Sequence, residues 1–388
     1  MLIISRTIAG IYVLATLILV IVTVIFGPIG WSPLPLPTAA PPIRVELAVS
    51  SEKEAWLRSA LERFARTNPT ISGRAVEVRM RVTGSIDLIT AIERDGYQPT
   101  VVSPASELQL AELRQWRDDL LREPAQALAF TPLVALMREA PATKEIANPW
   151  QLWQRQFPDQ INNVKIGISS PIKSNGGLQS LIVLAAQYHD EQTSLTVDQA
   201  SDPGLEEWLR QLNSRIVGWP ESTGTLTAEF VTQTGLYDII TTYENLALQT
   251  FPRGEAQGLG ARIYYPTTTI VSDHPYAILT APWVGNAERA AARLLRDFLL
   301  SAAEQTIAMR EYGFRPAHPQ VTIDLNDSTS LFGRYRDYGL QLDLASQLAI
   351  PSPDVVNKLV DTWSRATKKP ERSHSCLCDR SNCSRCSY

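Results

Sequence analysis

The feature that most constrains this chain is a unit of strand, Ser- or Gly-rich turn and helix, repeated along its first third. Residues 44–49 and 75–82 alternate as β-strands do, and residues 100–103 form a third short strand. A polar turn and then the apolar spacing of a helix follow each strand. Strands and helices in this order predict an α/β fold with a parallel, doubly wound sheet.

The turns that follow these strands are the first candidate for a ligand site. In doubly wound sheets, ligands bind at the carboxyl ends of the strands, where the chain enters the helices. A serine at such a position also stabilises a helix by about 1 kcal/mol with no ligand present. Helix capping is therefore the alternative role for each serine. The residues predicted to lie on this rim are Ser50, Ser51, Gly84, Ser85, Ser103 and Ser106.

The same pattern returns at residues 166–188, where a short apolar strand leads through SSPIKSNGG into a strongly apolar helix. Backbone N–H groups and the dipole at such a helix N-terminus favour an anion or a polar ligand. Ser174, Asn175 and Gly176 are the candidate contacts. The alternative is that Ser174 or Asn175 only caps the helix and that the glycines ease the turn.

The rest of the chain predicts a second lobe and a return to the first. The long apolar run at residues 127–138 is expected to cross between the lobes. Strands at 262–265, 270–271 and 277–279 are expected to return to the first lobe. Helices follow at 286–300, 302–310 and 354–365.

Composition excludes several functions. The net charge of −4 is spread along 388 residues without a basic face, so we expect no nucleic-acid partner. The four histidines are far apart, which disfavours a histidine metal site, and we expect no metal and no cofactor.

The cysteines all fall in the tail, residues 368–388. Their spacing fits a zinc site or disulfides, but a disordered tail without function is our expectation.

The N-terminus predicts a membrane anchor. Residues 8–26 are uncharged and apolar, and about nineteen residues at about 1.5 Å each nearly span a bilayer core. We therefore expect a signal-anchor helix within residues 1–30, in contact with membrane lipid, and a proline-rich linker at 31–42. Arg6 favours a cytoplasmic N-terminus, which places the body outside the cell as a single-pass cell-membrane protein.

Particular segments carry a resemblance to a known family. They are SSEKEAW, VTGS and VVSPAS after the first three strands, TPLVALM at the crossing, SSPIKSNGG, YDIITTYEN, and the run from VSDHPYAILTAPWV to GFRPA. In this order they resemble the extracellular, periplasmic solute-binding proteins of ABC-transporter type. Similar domains occur beside von Willebrand factor A domains, whose DxSxS metal motif this sequence lacks.

The resemblance implies a two-lobed type II periplasmic-binding-protein-like fold with two crossovers between the lobes. The implied division is 43–132 for the first part of lobe 1, 133–261 for lobe 2, and 262–367 for the return to lobe 1 with the C-terminal helices. In oxyanion-binding relatives, hydroxyls and backbone N–H groups hold the ligand without a countercharge. That role falls here on the rim serines, on Ser174 with Gly176, and on Tyr243. Glu244 is expected to face solvent or an arginine.

The sequence does not favour an enzyme. No Gly-x-Ser-x-Gly turn occurs, and Lys173 beside Ser174 is expected to be a surface lysine. Asp273 and His274 are adjacent on a predicted strand and would point to opposite faces.

We therefore expect a membrane-anchored extracellular protein that closes two lobes on a small polar or oxyanion ligand, for transport or sensing. Its expected partners are a membrane permease or another membrane protein. A non-catalytic adhesion or scaffolding module that retains the fold without a ligand is the alternative.

Overall fold

The computed structural model describes residues 14–18, 20–21, 40–190 and 192–368. Within these ranges no helix has the length and apolar character needed to cross a membrane. The predicted span at 8–26 and the linker at 31–42 lie mostly outside the described residues, and so does nearly all of the cysteine-containing tail.

The strands are β1 Ile43–Ser50, β2 Thr70–Ile71, β3 Arg74–Thr83, β4 Val101–Ser103, β5 Gln126–Ala127, β6 Ala129–Arg138, β7 Ile166–Gly167, β8 Ile216–Gly218, β9 Ile239–Tyr243, β10 Ala261–Tyr264, β11 Thr268–Thr269, β12 Val271–Ser272, β13 Pro275–Ile278, β14 Arg315–Pro316 and β15 Ser346–Gln347. The helices are α1 Glu54–Arg66, α2 Ser85–Glu93, α3 Glu107–Trp116, α4 Asn175–Tyr188, α5 Val197–Ala200, α6 Pro203–Asn213, α7 Thr223–Thr232, α8 Glu244–Ala256, α9 Asn286–Leu299, α10 Ala302–Tyr312, α11 Leu331–Arg334 and α12 Pro353–Thr367. The fold is mixed α/β, as predicted.

The first sheet has the strand order β2-β3-β1-β4-β13-β5. Strand β1 is parallel to β3 and β4, and β13 is antiparallel to β4. Val45, Leu47 and Val49 of β1 pack against α1 and α9 on one face. Ala48 lies in the core that α2 and α3 form on the other face. Strand β1 is buried on both faces, and this explains its apolar character.

The second sheet is built around β6. Its order is β10-β6-β9-β7-β8, and β12 and β14 also pair with β6. Leu133 and Ala135 lie in one core with α4, α6 and α12. Val134 and Leu136 lie in the other core with α7 and α8. Strand β6 therefore has helices on both faces, like β1.

Two neighbouring links join the sheets. Strand β5 pairs in the first sheet and β6, one residue later, in the second, so the apolar run at 127–138 connects the two. Asp273 and His274 form the second link, between β12 and β13. The Leu128 N–H donates to the His274 carbonyl at 3.1 Å, which ties the two links together.

The last third of the chain departs from the predicted division at residue 262. Strands β10 and β12 pair with β6 in the second sheet, and only β13 returns to the first sheet. After α10, β14 pairs again with β6, a third passage between the sheets that the sequence pattern did not predict. The following loops place apolar side chains in the second sheet's core, among them Val321, Ile323 and Leu342. Burial of these side chains holds residues 317–352 on the second sheet, and α12 packs on α6.

Candidate functional site

A small polar cavity lies between the two sheets with their helices. It has a volume of about 20 Å³, enough for about one water molecule. The first sheet's side contributes Ser51, Glu52, Gly84 and Ser85, and the second sheet's side contributes Lys173, Ser174, Asn175, Ser222, Thr223, Gly224 and Tyr243. The side chains of the two halves are thus nearly in contact around the cavity.

Two helix N-termini from opposite sides meet at this cavity. Gly84 precedes α2 and Ser174 precedes α4, and neither helix has a side-chain cap. A methyl group on Gly84 would lie 3.3 Å from the carbonyl oxygen of Lys173, so glycine permits this close approach. Uncapped first turns leave N–H groups and positive helix-dipole ends for a bound acceptor. Helix α7 differs, because Ser222 caps it through the N–H of Thr225 at 3.0 Å.

Close contact between α4 and α7 explains the glycines of the SNGG turn. A methyl group on Gly176 would lie 2.1 Å from Thr223 Oγ1, and one on Gly177 would lie 2.2 Å from the carbonyl oxygen of Ser169. The hydroxyls of Ser169, Ser174 and Thr223 hydrogen-bond one another at 2.8 to 3.2 Å. Hydroxyls both donate and accept, so this cluster can reorient toward a ligand.

Asn175 connects the two sides. Its amide Nδ2 donates to the Tyr243 hydroxyl at 2.7 Å. Its Oδ1 accepts from Gln109 Nε2 at 2.9 Å, and Gln109 lies on α3 of the first sheet's side. Burial, together with the charge of Glu52, raises the pKa of Tyr243 far above its usual value, so the phenol keeps its proton.

A charged cluster stands directly behind the first-side rim, in the short turn before α1. The ammonium of Lys53 is fully buried and donates to the Pro104 carbonyl at 3.0 Å and to Glu52 Oε1 at 3.1 Å. The Nδ1 atom of His274 lies 3.2 Å from the same Glu52 oxygen. Ser50 also donates to that oxygen and accepts from Lys53.

Burial sets the protonation states of this cluster. It lowers the pKa of His274 to about 4, and the Lys53 charge acts in the same direction. Burial would raise the pKa of Glu52, but Lys53, His274 and Ser50 together hold it well below its usual range. Burial also lowers the pKa of Lys53, against the pull of Glu52. At neutral pH the imidazole is therefore neutral and lies beside the ionised Glu52 carboxylate.

Six of the ten predicted contacts line the cavity: Ser51, Gly84, Ser85, Ser174, Asn175 and Tyr243. The other four, Ser50, Ser103, Ser106 and Gly176, lie outside its lining. Ser106 caps α3 by accepting from the Leu108 N–H at 3.3 Å, which is the alternative role weighed for the serines. Ser103 is fully buried, and its hydroxyl has no hydrogen-bond partner among the described residues.

Sequence reasoning missed Glu52, Lys173 and the turn at 222–224. The Ser-Thr-Gly turn carries the same signal as the predicted rims, a polar turn before a helix, and could have been included. Glu52 carries no such signal, because a glutamate in a helix-opening turn is usually an exposed residue that favours the helix dipole.

The remaining expectations concern charged residues. Glu244 is fully buried and faces an arginine: Arg315 Nε and Nη2 lie 2.8 and 2.7 Å from its carboxylate oxygens. Lys173 is half exposed, with Nζ 3.8 Å from Asp87. Asp273 accepts from the Glu107 N–H, whereas His274 contacts Glu52 and Lys53, so the two side chains serve separate partners. No group of three or more His, Cys, Asp or Glu side chains among the described residues could hold a metal ion.

The fold, with a polar cavity between its two sheets, is similar to that of the solute-binding proteins of ABC-transporter type. Residues 45–315 match the family model of bacterial extracellular solute-binding proteins. This match covers most of the 388 residues, and the chain belongs to that family. A comparison with curated proteins found no match.

Solved structures share the fold at low sequence identity. The sulfate-binding protein SubI from Mycobacterium tuberculosis H37Rv is 20% identical, with a TM-score of 0.55 over 80% of this chain and 95% of its own. A periplasmic thiamin binding protein is 11% identical, with a TM-score of 0.58 over 87% and 100%. Iron-bound HitA from Pseudomonas aeruginosa is 14% identical, with a TM-score of 0.53 over 84% and 100%.

Proposed function

We propose that this chain is a membrane-anchored extracellular solute-binding protein that closes two lobes on a small polar or anionic ligand. The two sheets with their helices are the lobes of a type II periplasmic-binding fold. Closure buries the ligand between them, and the closed form delivers it to a membrane permease or is read by a membrane partner. The protein acts by binding alone and catalyses no reaction.

The observation that carries this proposal is the meeting of two uncapped helix N-termini from opposite lobes over one cavity. A helix N-terminus attracts acceptor oxygens, and two that approach from opposite sides can hold one ligand between the lobes. The hydroxyls of Ser174 and Thr223 supply further hydrogen bonds. Ser85 lines the cavity as well, while its hydroxyl accepts from the Ala105 N–H at 2.9 Å.

Ligand entry requires the lobes to separate, because the cavity of about 20 Å³ is smaller than the proposed ligands. The links at 127–129 and 273–274 and the third passage, just before β14, are the places where the backbone can bend. Opening would break the Gln109–Asn175 hydrogen bond and separate Lys173 from Asp87 and Gly84.

The proposed anchor rests on the sequence. The apolar residues 8–26 and the proline-rich residues 31–42 would hold the body at the outer face of the cell membrane. The family's extracellular location supports a body outside the cell.

One observation favours the alternative, a scaffolding module without a ligand. The lobes touch directly at Gly84 and Lys173, and the cavity holds about one water. A protein fixed in this closed form would present a rigid surface and bind no solute.

A thermal-shift screen of the full chain in detergent separates the two. The panel contains molybdate, tungstate, sulfate, phosphate, sugars and amino acids. A ligand present at about a hundred times its Kd should add nearly 3 kcal/mol of stability. Gly84→Val should abolish that shift, because its side chain would hold α2 away from Lys173.

Gly218→Ala is the matched control. Its new methyl group would lie 3.5 Å from the Tyr237 hydroxyl, an ordinary contact outside the cavity lining. A well-folded wild type that no compound stabilises would favour the scaffolding module. A shift that persists in Gly84→Val would place the ligand elsewhere.

A further inference from the structure

A second pocket lies wholly within the second lobe, away from the interlobe cavity. Its volume is about 160 Å³, compared with about 20 Å³ for the interlobe cavity. Its walls come from the turn Pro149–Trp153 with its flanks, from the C-terminal half of α4, and from residues 266–268 at the start of β11. Gln187 follows Asn175 by twelve residues on α4, or about 18 Å at about 1.5 Å per residue. The pocket is therefore separate from the proposed ligand site.

Four amide side chains line this pocket: Asn148, Gln151, Gln154 and Gln187. Two of them are fixed by hydrogen bonds with Trp150. The Asn148 Oδ1 accepts from the Trp150 N–H at 3.0 Å, and the Gln187 Nε2 donates to the Trp150 carbonyl at 2.6 Å. These bonds leave the Asn148 Nδ2 as a donor and the Gln187 Oε1 as an acceptor with no other partner among the described residues. Gln151 and Gln154 are exposed, and their amides make no hydrogen bond within the same part of the chain.

Buried apolar side chains complete the pocket. Trp150 and Val183 are 3% and 1% exposed, and Pro266 is also buried. The Trp150 ring is held by its Nε1, which donates to the Tyr264 carbonyl at 2.9 Å, and by edge contact with Trp153. Trp150 and Val183 both belong to the core of the second lobe. The apolar part of the pocket is therefore formed before any ligand binds.

The lining favours an uncharged ligand. None of the described side chains that line the pocket is ionisable, so a bound ion would give up water without gaining a countercharge. Amides donate and accept hydrogen bonds, as alcohol hydroxyls do. A ring with hydroxyls on its rim and C–H groups on its faces matches both the amides and the apolar side chains. The volume of about 160 Å³ holds about five water molecules at about 30 Å³ each, which is about the size of one such ring.

We propose that this pocket is a second ligand site, which binds one uncharged sugar ring on the second lobe. The amides hold the hydroxyls, and Trp150, Val183 and Pro266 face the C–H groups. The ring belongs either to a free sugar or to a glycan at the cell surface. This inference goes beyond the proposed function, because the residues that form the pocket all lie in one lobe and do not need the lobes to close.

The test is saturation-transfer NMR of the full chain, in a detergent without a sugar head group. The probes are glucose, galactose, mannose and N-acetylglucosamine, each as the free sugar and as its methyl glycoside. A ligand of about a dozen non-hydrogen atoms binds such a site with a Kd on the order of 1 mM, which the method detects. We expect at least one probe to receive saturation. A methyl glycoside that binds as well as the free sugar would favour a glycan unit, and binding of the free sugar alone would favour a free sugar.

The double variant Gln151→Ala/Gln154→Ala removes two ligand groups without breaking a hydrogen bond seen in the described residues. It should weaken binding at least about tenfold, since each lost hydrogen bond reduces the affinity several-fold. Gln187→Met removes the Oε1 acceptor at a similar side-chain length and should act in the same direction. The matched control is Gln257→Ala/Gln320→Ala, which changes two exposed glutamines outside the lining and should leave the Kd unchanged.

Gly84→Val separates this site from the interlobe cavity. Sugar binding that survives in Gly84→Val and weakens in the pocket variants would support the second site, whatever the screening panel shows for the interlobe cavity. Binding that is lost in Gly84→Val and unchanged in the pocket variants would assign the sugar to the interlobe cavity, which overturns this inference and leaves the proposed function standing. Binding that none of these variants changes would also overturn the inference. A folded wild type to which no probe binds would overturn it without touching the proposed function.

Discussion

His274 should make the stability of this protein fall in mild acid. Its ring is fully buried among Glu52, Lys53 and the rings of Tyr243 and Phe314. Burial first, and the Lys53 charge second, lower its pKa from 6.5 to about 4. The perturbation is a change of pH from about 7 to about 5, applied to the wild type and to His274→Asn.

The sign follows from the direction of the shift. The unfolded chain binds a proton at His274 near pH 6.5, whereas the folded protein binds it only near pH 4. The stabilising effect of the neutral ring is complete above the unfolded pKa and is lost as the pH falls toward the folded one. Between about pH 7 and about pH 5, a histidine with these two values gives up about 2 kcal/mol of the free energy of unfolding.

The other titratable groups near the ring are Glu52, Lys53 and Asp273, and burial lowers the pKa of Lys53. The pKa of Glu52 is held below its usual range, so Glu52 adds to the loss of stability only at lower pH. Burial raises the pKa of Asp273, which acts in the opposite direction as the pH falls. When the pH-dependent change in the free energy of unfolding is compared between the wild type and His274→Asn, the contributions of groups that titrate alike in both proteins cancel.

Urea denaturation across this pH range measures the effect. Asparagine is the replacement because residue 274 has a φ of +42°, and asparagine tolerates positive φ better than most residues. The pH-dependent loss should shrink by about 2 kcal/mol in His274→Asn. His318→Asn removes a histidine outside the cluster and is the control. Equal pH dependence in the wild type and His274→Asn would refute the argument.

Two further predictions concern buried contacts. Arg315→Met should reduce the free energy of unfolding by about 3–5 kcal/mol, because it leaves the fully buried Glu244 without its countercharge. The double variant Glu244→Gln/Arg315→Met should recover most of that loss in urea denaturation, and a double variant as unstable as the single one would count against the pairing. Gly177→Ala should destabilise the protein by about 1–3 kcal/mol or more, because its methyl group would lie 2.2 Å from the Ser169 carbonyl oxygen. Gly224→Ala, whose methyl group meets nothing closer than 3.9 Å, is its control in thermal unfolding, and equal melting temperatures would contradict the close approach of α4.

Local pattern predicted most of the first lobe. The alternation at 44–49 and 75–82 corresponds to β1 and β3, because the side chains of a strand alternate between faces wherever the strand lies. The predicted helices at 286–300 and 302–310 correspond to α9 and α10, because apolar residues recur along a helix with its own period. Parallel strands bring the turns that follow them to one edge of a sheet, and six of the predicted residues line one cavity.

Long-range contacts explain what the sequence did not reveal. In the sequence, Glu52 and Lys53 look like two exposed charges in a turn. In the structure both are buried against His274, which lies more than two hundred positions away along the chain. Residues 317–352 belong to the second lobe because scattered side chains such as Val321 and Leu342 reach its core from loops. Such side chains have no helical or strand period, and a pattern search cannot assign them.

The contacts that hold the lobes closed bear directly on ligand affinity. Across the interface, the Gln109–Asn175 hydrogen bond is worth about 1 kcal/mol. The Lys173–Asp87 pair is half exposed at 3.8 Å, and such pairs contribute about 0–1 kcal/mol. Leu108 of α3 packs into the core of the second lobe, and burial of a leucine is worth about 1.5–3 kcal/mol.

Closure without ligand is thus favoured by a few kcal/mol before any strain in the links is counted. A ligand must exceed this with contacts that exist only when it is bound, because every 1.4 kcal/mol spent on reopening weakens its apparent affinity about tenfold. The balance requires several hydrogen bonds to one small ligand, and in the proposed site the helix ends and the hydroxyl cluster are the groups that would form them.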